Sequence, residues 1–157
     1  MPSVHASAVL VGARAVLIRG PSGAGKSRLA LALLRAAEKG ELPFALLVAD
    51  DRSHLEPYHG RLLVRPASEI AGLIEVRGLG IRRLPYEPVA VVGLVVDLAA
   101  ADGERLPAPA SRRVTIEGVE LERLAVAADA DPLPLVLAAL ATEPASPGGH
   151  PGAATEN

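Results

Sequence analysis

The sequence predicts an α/β fold, and three features of its first third carry that prediction. An apolar run of strand length at 15–18 leads into a glycine-rich loop at 20–27, and a helical pattern follows at 27–39. A second apolar run of strand length comes next, at 44–49. Strand, loop, helix and strand in this order form the unit from which sheets covered by helices are built.

Composition indicates one globular domain and excludes several classes of function. The chain has 157 residues, of which 50% are hydrophobic and 22% charged, so it is long enough to bury a core. The absence of cysteine excludes disulfides, thiolate catalysis and cysteine-based metal sites. A net charge of −2 and an aromatic content of 2% argue against nucleic acid as a partner.

Targeting signals are not recognisable in the sequence. The first residues lack the basic start and the long apolar run of a signal peptide. The longest apolar stretch, around 89–101, is interrupted by Asp97 and is too short to span a bilayer. We therefore expect a cytoplasmic protein that does not associate with a membrane.

The first elements are predicted to be a pair of strands. Residues 9–11 and 15–18 are apolar and flank a short turn that contains Gly12. This pattern predicts a hairpin whose second strand leads directly into the glycine-rich loop at 20–27.

A helix and a second core strand are expected next. Leucine and alanine recur at helical spacing over 27–39, and Gly40 stands where a left-handed residue would end the helix. The apolar run 44–49 then ends at two adjacent acids, Asp50 and Asp51.

The middle of the chain mixes strands with a glycine-containing segment. Residues 61–64 predict a strand, and 67–72 predict a short helical turn after a proline. Residues 75–81 combine charged residues with two glycines, which we interpret as a functional loop. The run 89–96 is the richest in valine and predicts a central strand.

The last elements are a hairpin and a helix. Residues 113–116 and 119–123 flank a Glu-Gly pair, which is a two-residue hairpin signal. A helix is predicted at 133–141 after an Asp-Pro start. Because proline, glycine, serine and alanine dominate the end of the chain, we expect a catalytic domain at 1–142 and a disordered tail at 143–157.

The glycine-rich loop fits the phosphate-binding pattern G-x-x-x-x-G-K-[ST]. Glycines let backbone N–H groups turn inward toward phosphate oxygens, and the following helix adds its positive dipole end. Lys26 would reach the β and γ phosphates, and the hydroxyl of Ser27 would bind Mg²⁺. The predicted nucleotide-binding residues are Gly20, Pro21, Ser22, Gly23, Ala24, Gly25, Lys26 and Ser27.

Acidic and basic residues elsewhere suggest the remaining chemistry. Asp50 and Asp51 follow a strand, where one could hold Mg²⁺ through water and the other accept a proton; a solvated exit from the strand into a turn is the alternative. Asp97 also follows an apolar strand and is a rival for the metal-side acid. Arg77 could neutralise phosphoryl charge and Glu75 could hold Mg²⁺, while a surface ion pair beside a glycine turn remains the alternative.

The order of these motifs resembles the catalytic, C-terminal domain of HPr kinase/phosphorylase, a bacterial family that phosphorylates a serine of the phosphocarrier protein HPr. The resemblance covers roughly residues 4–140, and the most specific part of it is the segment 74–81. The motifs that carry it are Val4-His5, the loop 20–27, the run 47–51, the segment 74–81 and Glu104-Arg-Leu106.

The resemblance implies roles for individual residues in catalysis. His5 and Lys26 would belong to the active site, although His5 has no local sequence feature that marks it. One of Asp50 and Asp51 would accept the proton of the HPr serine, and the family pattern favours Asp51 slightly. Arg105 would assist catalysis.

The resemblance also implies the cofactors, the partner and the type of fold. ATP would be the phosphoryl donor, and Ser27 and Glu75 would hold Mg²⁺. The partner would be HPr or an HPr-like phosphocarrier protein. The expected fold is a P-loop domain of the HPr kinase / phosphoenolpyruvate carboxykinase type, with a mixed sheet flanked by helices.

Three departures from the family pattern qualify these expectations. The chain begins at the catalytic domain, so we expect a short form that lacks the N-terminal domain and its regulation. The family's basic loop before the last helix falls at 126–132, where acids replace the expected cations and weigh against the reverse, phosphorylase reaction. The last helix is short, so the oligomeric state, including a homo-oligomer, is left open.

Three functions are compatible with the sequence. The first is a serine kinase acting on HPr with ATP and Mg²⁺. The second is a small-molecule or nucleotide kinase, which would need an arginine-bearing lid for which Arg82-Arg83 and Arg112-Arg113 are the nearest candidates. The third is a regulator that binds ATP with little transfer activity.

Overall fold

Ten strands and two α-helices form the part of the chain that the computed structural model describes, residues 2–145. The predicted tail at 143–157 lies outside the described residues from 146 onward. In chain order the elements are β1 (Ser3–Val11), β2 (Arg14–Arg19), α1 (Lys26–Glu38), β3 (Ala45–Ala49), β4 (Arg52–Tyr58), β5 (Arg61–Pro66), β6 (Leu73–Val76), β7 (Gly80–Arg83), β8 (Ala90–Asp97), β9 (Arg113–Ile116), β10 (Val119–Ala125) and α2 (Pro132–Ala141).

The main layer is a mixed sheet in the order β3-β1-β2-β8-β10-β9. The pairs β2–β8 and β8–β10 are parallel, and the other pairs in this layer are antiparallel. The predicted mixed sheet is therefore confirmed. Because β2, β8 and β10 run in the same direction, their carboxyl ends meet at one edge of the sheet, next to the glycine-rich loop.

A second layer of strands covers one face of this sheet. β4 pairs with the first residues of β1, β5 pairs with β4, and β5 pairs with the start of β8. Strands β1 and β8 thus belong to both layers, and β2-β1-β4-β5-β8 form a closed ring through the β2–β8 pair.

The two helices pack together on the opposite face. Ile18 of β2 points into a core with Leu33 of α1 and Val136 of α2, whereas its neighbour Leu17 points into a core with Leu62 of β5. This alternation follows from the two-residue period of a strand. The expectation of a sheet flanked by helices is therefore correct for one face only, since strands cover the other.

Two local predictions are confirmed by backbone geometry. At the end of α1, Gly40 has a φ of 80°, its N–H donates to Ala37 O at 3.1 Å, and the N–H of Glu41 donates to Ala36 O at 2.8 Å. These bonds form the Schellman motif. Between β9 and β10, Glu117 and Gly118 both have positive φ, as a two-residue hairpin turn requires.

In the middle of the chain one prediction is wrong and one strand was missed. The segment 75–81 is not a free loop, because its ends belong to β6 and β7, which pair as an antiparallel hairpin. Strand β4 was not predicted. It contains polar and charged residues and Pro57, and Ser53 is its one fully buried residue, so it has no apolar run that would mark a strand.

Within residues 2–145, neither helix combines the length and the hydrophobicity that crossing a bilayer requires.

Candidate active site

The glycine-rich loop connects the end of β2 to the start of α1. Within the loop, the N–H of Ala24 donates to Pro21 O at 3.0 Å, which closes a tight turn. Gly25 is the N-cap of α1 with a φ of 101°, a conformation that favours glycine. Since glycine offers no side-chain acceptor, the first N–H groups of α1 are left available for an anion.

Lys26 keeps its ammonium group against this loop. Its Nζ donates to Gly20 O at 2.8 Å and to Pro21 O at 3.3 Å, and the residue is only 8% exposed. The positive charge therefore lies at the turn itself, where the amides of the loop and the dipole of α1 act in the same sense on an anion.

Asp50, at the end of β3, is a buried acceptor of three groups. Its Oδ1 accepts from Ser7 Oγ at 2.8 Å and from Ser27 Oγ at 2.7 Å. Its Oδ2 lies 2.8 Å from Ser27 Oγ and accepts from the N–H of Glu75 at 3.1 Å. Asp50 thus ties β1, α1 and β6 together at the mouth of the loop.

Asp51 has a different environment although it is the next residue. It sits at the centre of a three-residue turn in which Arg52 N donates to Asp50 O at 2.8 Å, and its φ is 68°. Its backbone N–H donates to Ser7 Oγ, and its side chain is 63% exposed. His5 Nδ1 lies 4.0 Å from Asp51 Oδ1. The left-handed turn therefore directs two adjacent carboxylates to two places, one buried and one in the open.

Most of the predicted site residues meet in one cavity of about 400 Å³. It lies between the glycine-rich loop, the start of α1 and the β6–β7 hairpin. We call it the loop cavity, and its lining residues are Ser22, Gly23, Gly25, Lys26, Ser27, Arg28, Leu31, Asp51, Glu75, Val76 and Arg77.

The groups in and behind the loop cavity fit a magnesium ion. The hydroxyl of Ser27 donates a hydrogen bond to Asp50, so the lone pairs of Ser27 Oγ stay available for a cation. Glu75 adds an exposed carboxylate from β6. Among the described residues, no three acidic or histidine side chains form a complete metal cluster. Mg²⁺ commonly needs only one or two carboxylates because phosphate oxygens and water complete its shell.

Asp97 is not a candidate metal ligand, which corrects the interpretation of this residue as a rival. Its carboxylate accepts from Arg19 Nε at 2.7 Å and from Arg123 Nε at 2.6 Å. Burial acts to raise the pKa of Asp97, but the hydrogen bonds and charges of the two guanidinium groups outweigh it, so the pKa is below its usual value. Arg123 also binds Asp102 at 2.7 Å, and the cluster ties the segment after β8 to the sheet.

Arg105 lies apart from these groups. It is exposed in the segment between β8 and β9 and does not line the loop cavity, so its catalytic role stays a prediction.

Two residues of the candidate site were not predicted from the sequence. Ser7 links Asp50 to the backbone of Asp51, and Arg28 lines the cavity from the first turn of α1. A serine in a strand carries no motif, whereas Arg28 could have been found from its place just after the lysine and serine.

A lysine and a serine on a glycine-rich loop, facing acidic residues across a cavity on a mixed α/β sheet, are the parts that phosphoryl-transfer domains use. The chain belongs to one family with that chemistry. The sequence model described as HPr Serine kinase C-terminal domain matches residues 1–85, which is more than half of the chain.

Individual relatives agree with this assignment. The chain is 35% identical over 121 residues to the HPr kinase/phosphorylase of Caldicellulosiruptor bescii, which covers 76% of this chain and 34% of that protein. It is 37% identical over 78 residues to the HPr kinase/phosphorylase of Clostridium beijerinckii, covering 50% of this chain and 24% of that protein. The chain thus spans about a quarter to a third of the length of these relatives.

A solved structure extends the comparison to most of the fold. The Hpr(Ser) kinase/phosphatase from Coxiella burnetii superposes with a TM-score of 0.68 at 25% sequence identity, covering 87% of this chain and 91% of that one. The resemblance to the HPr kinase/phosphorylase family seen in the sequence is confirmed.

Proposed function

We propose that this protein is an ATP- and Mg²⁺-dependent serine kinase that phosphorylates HPr or an HPr-like phosphocarrier protein in the cytoplasm. The observation that carries the proposal is the loop cavity, which brings Lys26, Ser27, Asp51 and Glu75 together in a chain of this family.

In this proposal the glycine-rich loop is a phosphate-binding P-loop of the type found in HPr kinase and phosphoenolpyruvate carboxykinase. The free N–H groups at the start of α1 and the ammonium of Lys26 would hold the β and γ phosphates. Arg77, which lines the same cavity from the β6–β7 hairpin, would stabilise charge on the phosphoryl group during transfer.

Ser27 and Glu75 would hold the Mg²⁺ ion. The ion would supply charge neutralisation at the bridging phosphate oxygens. The bond from Ser27 to Asp50 fixes the serine hydroxyl, so its oxygen is presented to the cavity in one orientation. Asp50 would therefore act on the metal site through Ser27 and not by direct contact.

Asp51 is the proton acceptor that the geometry favours over Asp50. Both oxygens of Asp50 already accept hydrogen bonds, and the residue is 5% exposed. Asp51 lines the cavity with an exposed carboxylate, which a serine hydroxyl of a protein substrate could reach. His5, beside Asp51, would help to orient that carboxylate.

We further propose that transfer to HPr outweighs the reverse, phosphorylase reaction. The segment 126–132, which precedes α2, carries acidic residues in place of the basic ones that the family pattern leads us to expect there.

A transfer assay tests the function directly. Purified protein is incubated with Mg²⁺ and γ-labelled ATP, together with HPr, HPr whose target serine is replaced by alanine, or free nucleosides. We expect label on HPr alone. Label on a nucleoside would indicate a small-molecule kinase, and ATP binding without any label would indicate a regulator; either result would overturn the proposal.

A further inference from the structure

Strand β1 carries a buried serine next to the candidate site. Residues 6–9 of β1 are fully buried, and Ser7 is the one polar side chain among them. Its partner on β2 is Ile18, which lies in the same core cluster as Leu33 of α1. An apolar side chain would fit this position, and a buried hydroxyl group costs stability unless it is hydrogen-bonded. The hydroxyl of Ser7 therefore needs partners, and both of them belong to the candidate site.

Ser7 lies opposite the corner at which the chain passes from one layer of strands to the other. On the side away from β2, β1 pairs with β4 up to residue 5 and with β3 from residue 8 onward. Residues 6 and 7 therefore face Asp50 and Asp51, which connect β3 to β4. The N–H of Ala6 donates to Asp51 O at 3.1 Å, which is a backbone bond across this corner. The side chain of Ser7 adds two further bonds.

The hydroxyl of Ser7 binds to both acidic residues at once. Its Oγ donates to Asp50 Oδ1 at 2.8 Å and accepts from the N–H of Asp51 at 3.1 Å. The first bond leads to the proposed metal site, because the same Oδ1 accepts from Ser27 Oγ at 2.7 Å. The second bond leads to the proposed proton acceptor, because it holds the backbone of that residue. Ser7 itself has no exposed surface, so it can affect a bound substrate only through these neighbours.

The turn at Asp51 depends on such support. Its φ of 68° is left-handed, a conformation that costs free energy for a residue with a Cβ. A hydrogen bond to the N–H at the centre of the turn offsets part of that cost. Without this bond the backbone could relax toward negative φ, which would turn the carboxylate of Asp51 away from the loop cavity that it lines.

We infer that Ser7 is a positioning residue for phosphoryl transfer. It sets the direction of the Asp51 carboxylate relative to the hydroxyl of Ser27, and so aligns the proton acceptor with the metal-bound phosphates. The inference rests on the proposed kinase function and adds to it a residue that acts through two others.

Ser7→Ala removes both bonds, and Ser53→Ala is the matched control. Ser53 is equally buried, and its Oγ donates to Ala6 O at 2.9 Å at the same corner. Within residues 2–145 its hydroxyl binds to neither acidic residue, so the control reports the stability that is lost when a buried hydroxyl at this corner is deleted. Transfer of label to HPr gives kcat and the KM for ATP, and circular dichroism gives the Tm of each protein.

We expect Ser7→Ala to lower kcat by about 10- to 100-fold, the effect of a misplaced catalytic group. The KM for ATP should stay within about 2-fold of wild type, because Lys26 and the amides of the glycine-rich loop are unchanged. Ser53→Ala should lower Tm and keep the wild-type kcat. In an Asp51→Asn background, Ser7→Ala should lower kcat by no more than about 2-fold, because the group that it positions is already absent.

Four results would overturn the inference: a wild-type kcat in Ser7→Ala, an equal loss of kcat in both serine variants, a change in the KM for ATP alone, or an undiminished loss in the Asp51→Asn background. If Ser7→Ala does not fold, Ser7→Cys takes its place, because a thiol keeps a weak donor and a weak acceptor. Ser53→Cys is then the control, and the same four results apply.

Amide hydrogen exchange at Asp51, measured by NMR on the same proteins, separates this inference from the proposed function. Ser7→Ala should speed exchange of the Asp51 N–H several-fold more than Ser53→Ala does. If exchange responds in this way while wild type transfers no label to HPr, the ordering of the turn by Ser7 stands and the kinase function falls. If wild type labels HPr and Ser7→Ala transfers at the wild-type rate, the kinase function stands and the positioning role falls.

Discussion

Replacing Asp50 and Asp51 separately by asparagine should produce two different defects, one in stability and one in transfer. Asp50 is buried and its oxygens accept from Ser7, Ser27 and the N–H of Glu75, whereas Asp51 is exposed and its side chain accepts no hydrogen bond within residues 2–145. The same chemical change should therefore destabilise the fold at Asp50 and impair transfer at Asp51.

The size of the Asp50 effect follows from its partners. Asparagine has one acceptor and one donor group where aspartate has two acceptors. With the NH₂ at the Oδ2 position it faces the N–H of Glu75, and with the NH₂ at the Oδ1 position the hydroxyls of Ser7 and Ser27 must accept where they now donate. The loss of a charge-assisted bond together with this mismatch costs about 1.5–3 kcal/mol. In a domain of this size, that lowers Tm by about 3–12 °C.

The Asp51 variant should keep its stability, because asparagine also tolerates the left-handed conformation at φ 68° and the backbone bond to Ser7 does not involve the side chain. We expect a change in the free energy of unfolding within about 0.5 kcal/mol and a loss of transfer rate of roughly 10²- to 10⁴-fold.

Thermal unfolding followed by circular dichroism measures the first effect, and label transfer to HPr at saturating ATP measures the second. The reasoning fails if Asp50→Asn unfolds at the wild-type temperature, or if Asp51→Asn transfers phosphate at the wild-type rate.

Further variants test Lys26 and Glu75 of the candidate site and the ion pair of Asp97 with Arg123. Lys26→Ala should abolish label transfer and weaken ATP binding measured by calorimetry; full activity would remove Lys26 from the active site. Glu75→Gln should raise the Mg²⁺ concentration needed for half-maximal transfer several-fold, and an unchanged Mg²⁺ titration would exclude Glu75 as a ligand. Because the pKa of Asp97 is lowered in the fold, its contribution to stability is present above the unfolded pKa of about 4 and is lost as pH falls through the folded value. Asp97→Asn should therefore cost roughly 1–3 kcal/mol near pH 7 and flatten the loss of stability below pH 4, as measured by urea unfolding across pH. Combined with Arg123→Met it should cost less than the sum of the two single variants, because both remove the same ion pair; additive costs would exclude this pair as the cause.

Much of the fold could be predicted because its signals are local. The helix after the glycine-rich loop, its glycine cap and the Glu-Gly hairpin follow from short-range backbone preferences that the sequence states directly. Strand β4 could not be found in this way, because it is a mostly polar strand whose pairing with β1 and β5 depends on tertiary contacts.

The site was predictable where a motif specifies it and not where burial decides. The sequence places Lys26 and Ser27 without ambiguity, but it cannot separate Asp50 from Asp51, since only the turn at φ 68° sends one inward and the other outward. Asp97 ends a strand just as Asp50 does. Its pairing with Arg19 and Arg123 depends on strand order, which one sequence does not show.

The parallel pairing of β2 with β8 has a consequence for how the chain can be divided. Arg19 lies opposite Asp97, 78 positions later, so the strand that precedes the glycine-rich loop cannot pair with β8 until that distant strand has been synthesised. Such long-range topologies fold slowly. A fragment ending at residue 85, where the family match stops, would retain Lys26, Asp51 and Glu75 yet lack the strand that closes the ring. The stretch that matches the family model is thus shorter than the smallest piece we expect to fold.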